Sequence, residues 1–128
     1  MNTNLLRTIT PEEVGTYHRD GVLLLQNMFD KDWIELLDKG LDVNIKTPTR
    51  RSRIWHKDTS GHSMFYDHTA WQGIDEYRKF IFNSPAAQIC GRLTGSTAIN
   101  FFFDSVFVRS IGTQFETPWH QDEPYWSV

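Results

Sequence analysis

Apolar positions recur at helical spacing in three stretches of the chain and give way to β-rich runs in its last third. Thr10-Pro11-Glu12-Glu13 opens the first helix. Thr10 can cap the free backbone N–H groups, Pro11 suits the first helical position, and Glu13 stands where a capping box needs it. The pattern runs to about Arg19, Asp20-Gly21 turns the chain, and Val22-Leu23-Leu24-Leu25 reads as a short buried strand. Asp30 is a plausible cap for a second helix whose apolar stripe is Trp33, Ile34, Leu37, Leu41 and Ile45.

Residues 46 to 70 are polar and irregular and hold His56, His62 and His68 without the close spacing of a metal site, so they read as loop or surface positions. Trp71, Ile74, Tyr77 and Phe80/Ile81 return to helical spacing. Ser84-Pro85 starts a further helix, with Ser84 as cap; Leu93 closes its apolar face and Gly95 ends it. Ala98 to Arg109 is the clearest strand, carried by Ile99, Phe101, Phe102, Phe103, Val106, Phe107 and Val108. A polar loop at 112–117 leads to Pro118, and Trp119 to Val128 reads as a strand entering or rimming a pocket. There is no internal repeat, linker or low-complexity segment. The expectation is one α+β unit over 1–128: a helical region with a short strand over 1–97, then strands over 98–128.

Composition narrows the function classes. At 128 residues the chain is long enough for one core and too short for two domains. Its net charge of -3 offers neither a nucleic-acid footprint nor a polybasic membrane patch. Arg50, Arg51 and Arg53 form the one local basic cluster; its plain reading is a solvated loop, its sharper one an anion site. The single cysteine, Cys90, excludes an internal disulfide and, in an apolar helical stretch, reads as a buried thiol. With no secretory pattern at the N-terminus and no apolar run of spanning length, a cytoplasmic setting is expected.

Candidate chemistry concentrates in Trp119-His120-Gln121-Asp122. Residues two apart on a strand share a face, so His120 and Asp122 would aim an imidazole nitrogen and a carboxylate oxygen at one point. That is two-thirds of the two-histidine, one-carboxylate triad that holds non-haem iron(II) with open positions. The tripeptide alone is weak evidence, and a hydrogen-bonded histidine–carboxylate pair is its plainer reading.

Its context is more specific. The run Phe102-Phe103-Asp104-Ser105-Val106-Phe107-Val108-Arg109, then Gly112-Thr113, then Thr117-Pro118-Trp119-His120-Gln121-Asp122-Glu123-Pro124-Tyr125-Trp126, resembles the metal-binding core of the phytanoyl-CoA dioxygenase family. Upstream, Thr10 to Leu25 is similar to that family's opening helix and strand, and Trp71 to Ser96 to its pre-barrel helices. The resemblance implies a double-stranded β-helix (jelly-roll) barrel with flanking helices. It also implies iron(II), and 2-oxoglutarate as a cosubstrate that is decarboxylated while molecular oxygen hydroxylates a C–H bond of a small organic substrate.

By that resemblance His120 and Asp122 are metal ligands, Gln121 and Ser105 face the cosubstrate, Arg109 replaces a frequent lysine that holds a carboxylate, and Trp126 stands against the substrate. The family's second iron-binding histidine and its 2-oxoglutarate-binding arginine come from later strands, whereas this chain stops six residues after Asp122. The resemblance therefore implies a truncated chain, inactive by itself, with about three strands where a jelly roll has eight. The exposed edge of its Phe101–Val108 strand would invite self-association. Two other readings remain open: a non-catalytic binding or interaction domain, and a hydrolytic zinc site completed by an upstream histidine.

Overall fold

The structure, a computed structural model, describes residues 1–55, 57–113, 116–122 and 124. Helix α1 (Pro11–Asp20) begins at the expected capping box, with Thr10 Oγ1 accepting from the Glu13 N–H and the Glu13 carboxylate from the Thr10 N–H; it ends at Gly21 in the left-handed region. Arg7 clamps the same glutamate with two hydrogen bonds and donates to the Gln26 carbonyl, so one guanidinium ties three segments together.

Helix α2 (Lys31–Lys46) starts at Asp30, whose carboxylate accepts from the Trp33 N–H. Its buried line is Trp33, Gly40 and Asn44, with Leu37 half-buried between them. Ile34 and Ile45 of the expected stripe are exposed. The helix is rotated because it approaches its neighbour through Gly40, where a Cβ would stand 2.8 Å from the Tyr77 ring and 2.9 Å from Glu76 Cβ, and because Asn44 donates to a buried carboxylate of the sheet.

Three strands form one antiparallel sheet: β1 (Arg53–Trp55), β2 (Met64–His68) and β3 (Ser105–Arg109), with β2 in the centre. Of the expected strands only the one over 98–109 is found among the described residues, as β3. Val22–Leu25 is not a strand; Val22 and Leu24 project into solvent, and no backbone partner stands beside the segment among the described residues. The supposedly irregular 46–70 region instead supplies β1 and β2, including His68.

The long expected strand shortens to Ser105–Arg109 for a reason visible in its partner. Ser105 pairs with His68, the last residue of β2. Beyond it the chain leaves the sheet through Thr69, a β-branched residue at φ 57°, and a 3-10 turn at Ala70–Gln72. One last backbone bond, from the Thr69 N–H to the Asp104 carbonyl, ends the pairing, and residues further upstream have no β2 backbone beside them. Phe101 packs edge-on against Trp71 and Phe82. Trp119 to Asp122 is likewise not in a strand, and residues 123 and 125–128 of that expected strand lie outside the described residues.

Helices α3 (Asp75–Asn83) and α4 (Ala86–Thr94) lie where helical spacing places them, but Trp71 falls in the preceding 3-10 turn, and the N-cap of α4 is Pro85, one residue after the expected Ser84. Ser84 Oγ accepts from the Ala86 N–H and Gly95 closes α4 in the left-handed region. Cys90 is exposed, not buried, because it projects away from the half-buried Ile89–Leu93 side of α4.

The core is small: Ala70, Ile74 and Tyr77, with Leu37, Trp71 and Val106 packed against them. Trp33 and Met28 are buried beside α2, where Phe80 meets the Trp33 ring edge-on. Val106 and its partner Asp67 thus give one sheet face to the helices, and the alternation along β2 and β3 leaves the opposite face for a site. Mixed helices and a small antiparallel sheet make the chain α+β. Among the described residues no helix is long and apolar enough to cross a membrane.

Candidate active site

The face turned away from the helices carries Arg53 and Trp55 from β1, Met64, Tyr66 and His68 from β2, and Ser105, Phe107 and Arg109 from β3. Residues opposite one another in an antiparallel pair share a face, so this set follows from the register. The segment 116–122 crosses it. Arg109 donates to Thr117 Oγ1, which ties this segment to the end of β3.

That crossing encloses a cavity of about 530 Å³ lined by Tyr66, Phe103, Ser105, Phe107, Thr117, His120 and Asp122. A second, of about 380 Å³, shares Tyr66, Phe107, His120 and Asp122 and adds Trp55, Met64 and Arg109. Four residues singled out from sequence (His120, Asp122, Ser105 and Arg109) therefore line two adjoining cavities. Gln121 is exposed and lines neither; Trp126 lies outside the described residues, as does His56.

His120 and Asp122 face each other although no strand aligns them. Nε2 of the imidazole stands 3.3 Å from Oδ1 of the carboxylate, and Nδ1 lies 2.8 Å from the Pro118 carbonyl oxygen. A carbonyl only accepts, so that contact assigns the Nδ1 proton. In the neutral ring Nε2 then presents a lone pair to an anionic oxygen, an arrangement that needs a proton or a cation between them. A histidine whose other nitrogen is fixed by a backbone carbonyl is also how proteins orient an imidazole toward a metal. The donors, one imidazole and one carboxylate, fit a divalent transition metal such as iron(II). Among the described residues no third donor, whether histidine, cysteine or acidic group, joins them. Of the other described histidines, His62 meets the Asp58 carboxylate at 2.8 Å, His68 the Thr69 hydroxyl at 3.1 Å, and His18 the Tyr17 ring edge-on.

Behind the site the sheet is anchored by buried polar groups. Asp67, fully buried, accepts from the Thr49 N–H and hydroxyl, the Asn44 amide and the His68 N–H, at 2.6–2.9 Å. Burial alone would raise its pKa; those hydrogen bonds win and hold it below the ordinary carboxylate range. Asp104 moves the other way. Burial pushes its pKa up, only partly opposed by backbone N–H groups such as that of Trp71, and Asp67 adds like-charge repulsion. Burial, with the charges of Asp104, Asp67 and Glu76, raises the Tyr77 phenol to about 12.

The walls of the site were the least legible part. Trp55 and Tyr66 stack at 4.9 Å with planes 13° apart, and Phe107 meets Tyr66 at 4.8 Å. The runs Arg53-Ile54-Trp55 and Met64-Phe65-Tyr66 do carry aromatic and β-branched residues, but each is short and embedded in polar sequence. Compared with protein families, residues 17–128 match the model described as phytanoyl-CoA dioxygenase (PhyH). Neither a curated protein nor a solved structure matches the chain significantly.

Proposed function

The chain belongs to the phytanoyl-CoA dioxygenase family, and from that premise we propose that it carries part of the site of an iron(II)- and 2-oxoglutarate-dependent oxygenase that hydroxylates a small organic substrate. In this reading His120 and Asp122 are two of the metal's ligands, the third comes from outside the described residues, and the open antiparallel sheet belongs to a double-stranded β-helix. Iron(II) with 2-oxoglutarate supplies the oxidising power for an unactivated C–H bond.

The observation that carries the reading is the facing of His120 Nε2 and Asp122 Oδ1 with Nδ1 committed to Pro118. The protein's own contribution is orientation and shielding. The Pro118 carbonyl holds the imidazole tautomer, and the Arg109–Thr117 contact holds the segment bearing both ligands against the sheet. Tyr66, Phe103 and Phe107 provide an apolar wall that keeps water from the reacting centre. Ser105 offers a hydroxyl in the same cavity for a cosubstrate oxygen, and Gln121, between the two ligands, would complete the polar side. The setting is expected to be the cytoplasm.

The test is binding of iron(II) and 2-oxoglutarate by anaerobic protein, read as the weak visible charge-transfer band of the chelated 2-oxo acid. The band is expected in the parent and absent from His120→Ala and Asp122→Ala. The lack of a third donor among the described residues favours one second reading, a binding domain that takes organic ligands without metal. Ligand binding that persists after exhaustive chelation, with no band under any iron concentration, would select it.

A further inference from the structure

One cluster is left unused by the proposed chemistry. Arg50, Arg51 and Arg53 form no ion pair among the described residues, although the chain has more acidic than basic side chains. All three are exposed. The turn that presents them is rigidly held: the buried Asp67 grips Thr49 through both its N–H and its hydroxyl, and Thr49 Oγ1 in turn accepts from the Arg51 N–H. Arg53 donates only to the neighbouring Ser52 carbonyl, at 2.8 Å, so three guanidinium groups on an anchored turn, none facing a carboxylate among the described residues, favour an anion there.

Register connects this turn to the site. Arg53 lies directly opposite Tyr66, and Tyr66 lies directly opposite Phe107, so the three form one row across the open face. Tyr66 lines both cavities that His120 and Asp122 line. The row is filled by rings: Trp55 lies flat against Tyr66, and Tyr66 is 4.8 Å from Phe107. Arg109 sits on the far strand, β3, so the two cations stand at opposite edges of the aromatic floor. Their strands are two spacings apart, about 10 Å, and Arg109 belongs to the next same-face row, opposite Met64 and Trp55.

We propose that the Trp55–Tyr66–Phe107 floor and Arg53, with Arg50 and Arg51 behind it, form the substrate subsite of this chain, and that the substrate is an organic oxyanion with an apolar, preferably planar body. This rests on the oxygenase reading for the word substrate; the binding claim itself does not need the metal. The body lies on the rings, the carboxylate or phosphate meets Arg53, and the other end lies over Phe107, two strand spacings or about 10 Å away, where Phe107 lines the cavities together with His120 and Asp122. A flat floor suits aromatic or extended apolar groups because stacked and edge-on contacts add to simple burial. A guanidinium at its edge fixes which end points to the reacting centre.

The experiment is calorimetric titration of the metal-free protein with 1-naphthoate, 1-naphthyl phosphate and the uncharged 1-naphthalenemethanol. Either anion should bind saturably, and the alcohol about tenfold more weakly or worse, the usual worth of a lost charged hydrogen bond. Arg53→Gln, on an exposed edge, should weaken the anions by a similar factor and leave the alcohol alone. Trp55→Phe should weaken all three, and Arg92→Gln, on α4, should change none. The better of the two anions then tells a carboxylate substrate from a phosphate. Equal binding of alcohol and anions, or an Arg53→Gln protein indistinguishable from the parent, would overturn the anion assignment; no saturable binding, or no effect at Trp55, would overturn the floor. Probe binding that depends on Arg53 without any iron–2-oxoglutarate band sinks the oxygenase reading alone, whereas a band without probe binding sinks only this subsite.

Discussion

Asp67 shows how one buried residue joins the scaffold to the site. Its carboxylate receives four hydrogen bonds, from the end of α2, the Thr49 turn and its own strand. Asp67→Ala would strand the Thr49 and Asn44 donors, and the expected loss is about 2–4 kcal/mol, read as a lower denaturant midpoint at constant slope. The pH dependence has a definite sign. The folded pKa of Asp67 is lowered, so its stabilisation is present above the unfolded carboxylate value of about 3.9 and is lost as pH falls through the folded value. Asp67→Asn should therefore flatten the acid limb of the stability curve.

Asp104 is the opposite case. Burial raises its folded pKa, so the parent forfeits stability as pH rises from the unfolded value through the folded one. Relative to the parent, Asp104→Asn should gain stability as pH rises above the unfolded carboxylate value of about 3.9, with little or no gain at the acid end. Thermal melts across that range would show it, and a difference that does not vary with pH would contradict it. Neither aspartate's environment is legible in the sequence, because each depends on partners more than twenty residues away, Asn44 for Asp67 and Trp71 for Asp104.

Elements separate into those that carry their own instructions and those that do not. The start of α1, the Asp30 cap of α2 and the Gly95 stop of α4 are readable because caps satisfy backbone groups within a few residues. Strands take their partners from elsewhere. Val22–Leu25 has the composition of a strand and no neighbour to pair with among the described residues, while Arg53–Trp55 and Met64–His68 look unremarkable and pair with each other. The face of α2 was misjudged at Ile34 and Ile45 for a related reason, since its true contact line includes a glycine and an asparagine, which a hydrophobic pattern cannot flag.

Gly40 makes that contact line testable. Alanine gains about 1 kcal/mol in helix propensity over glycine. Its Cβ, however, would stand 2.8 Å from Tyr77 Cε1 and 2.9 Å from Glu76 Cβ, and the latter belongs to a neighbouring helix that cannot yield without moving. Overpacking of this kind costs about 1–3 kcal/mol, so after the propensity gain Gly40→Ala should be destabilising by up to about 2 kcal/mol in chemical denaturation. A stabilised variant would mean that α2 and α3 pack more loosely than described.

At the scale of the molecule the helices cover one sheet face and the segment 116–122 crosses the other. The His-x-Asp pair could be singled out in the sequence because its two residues stand two apart, and the surrounding run, through Gly112-Thr113 and Pro118-Trp119, pointed to the same family that the family comparison identifies over residues 17–128. The aromatic floor was not legible, since Trp55, Tyr66 and Phe107 meet only through the register of three strands. The central claim is that His120 and Asp122 hold iron(II) for 2-oxoglutarate-dependent chemistry. The most direct measurement is the visible spectrum of anaerobic protein with iron(II) and 2-oxoglutarate, repeated on His120→Ala and Asp122→Ala. The account predicts a weak charge-transfer band in the parent that both substitutions abolish; a parent without the band, or a band that survives both substitutions, would contradict it.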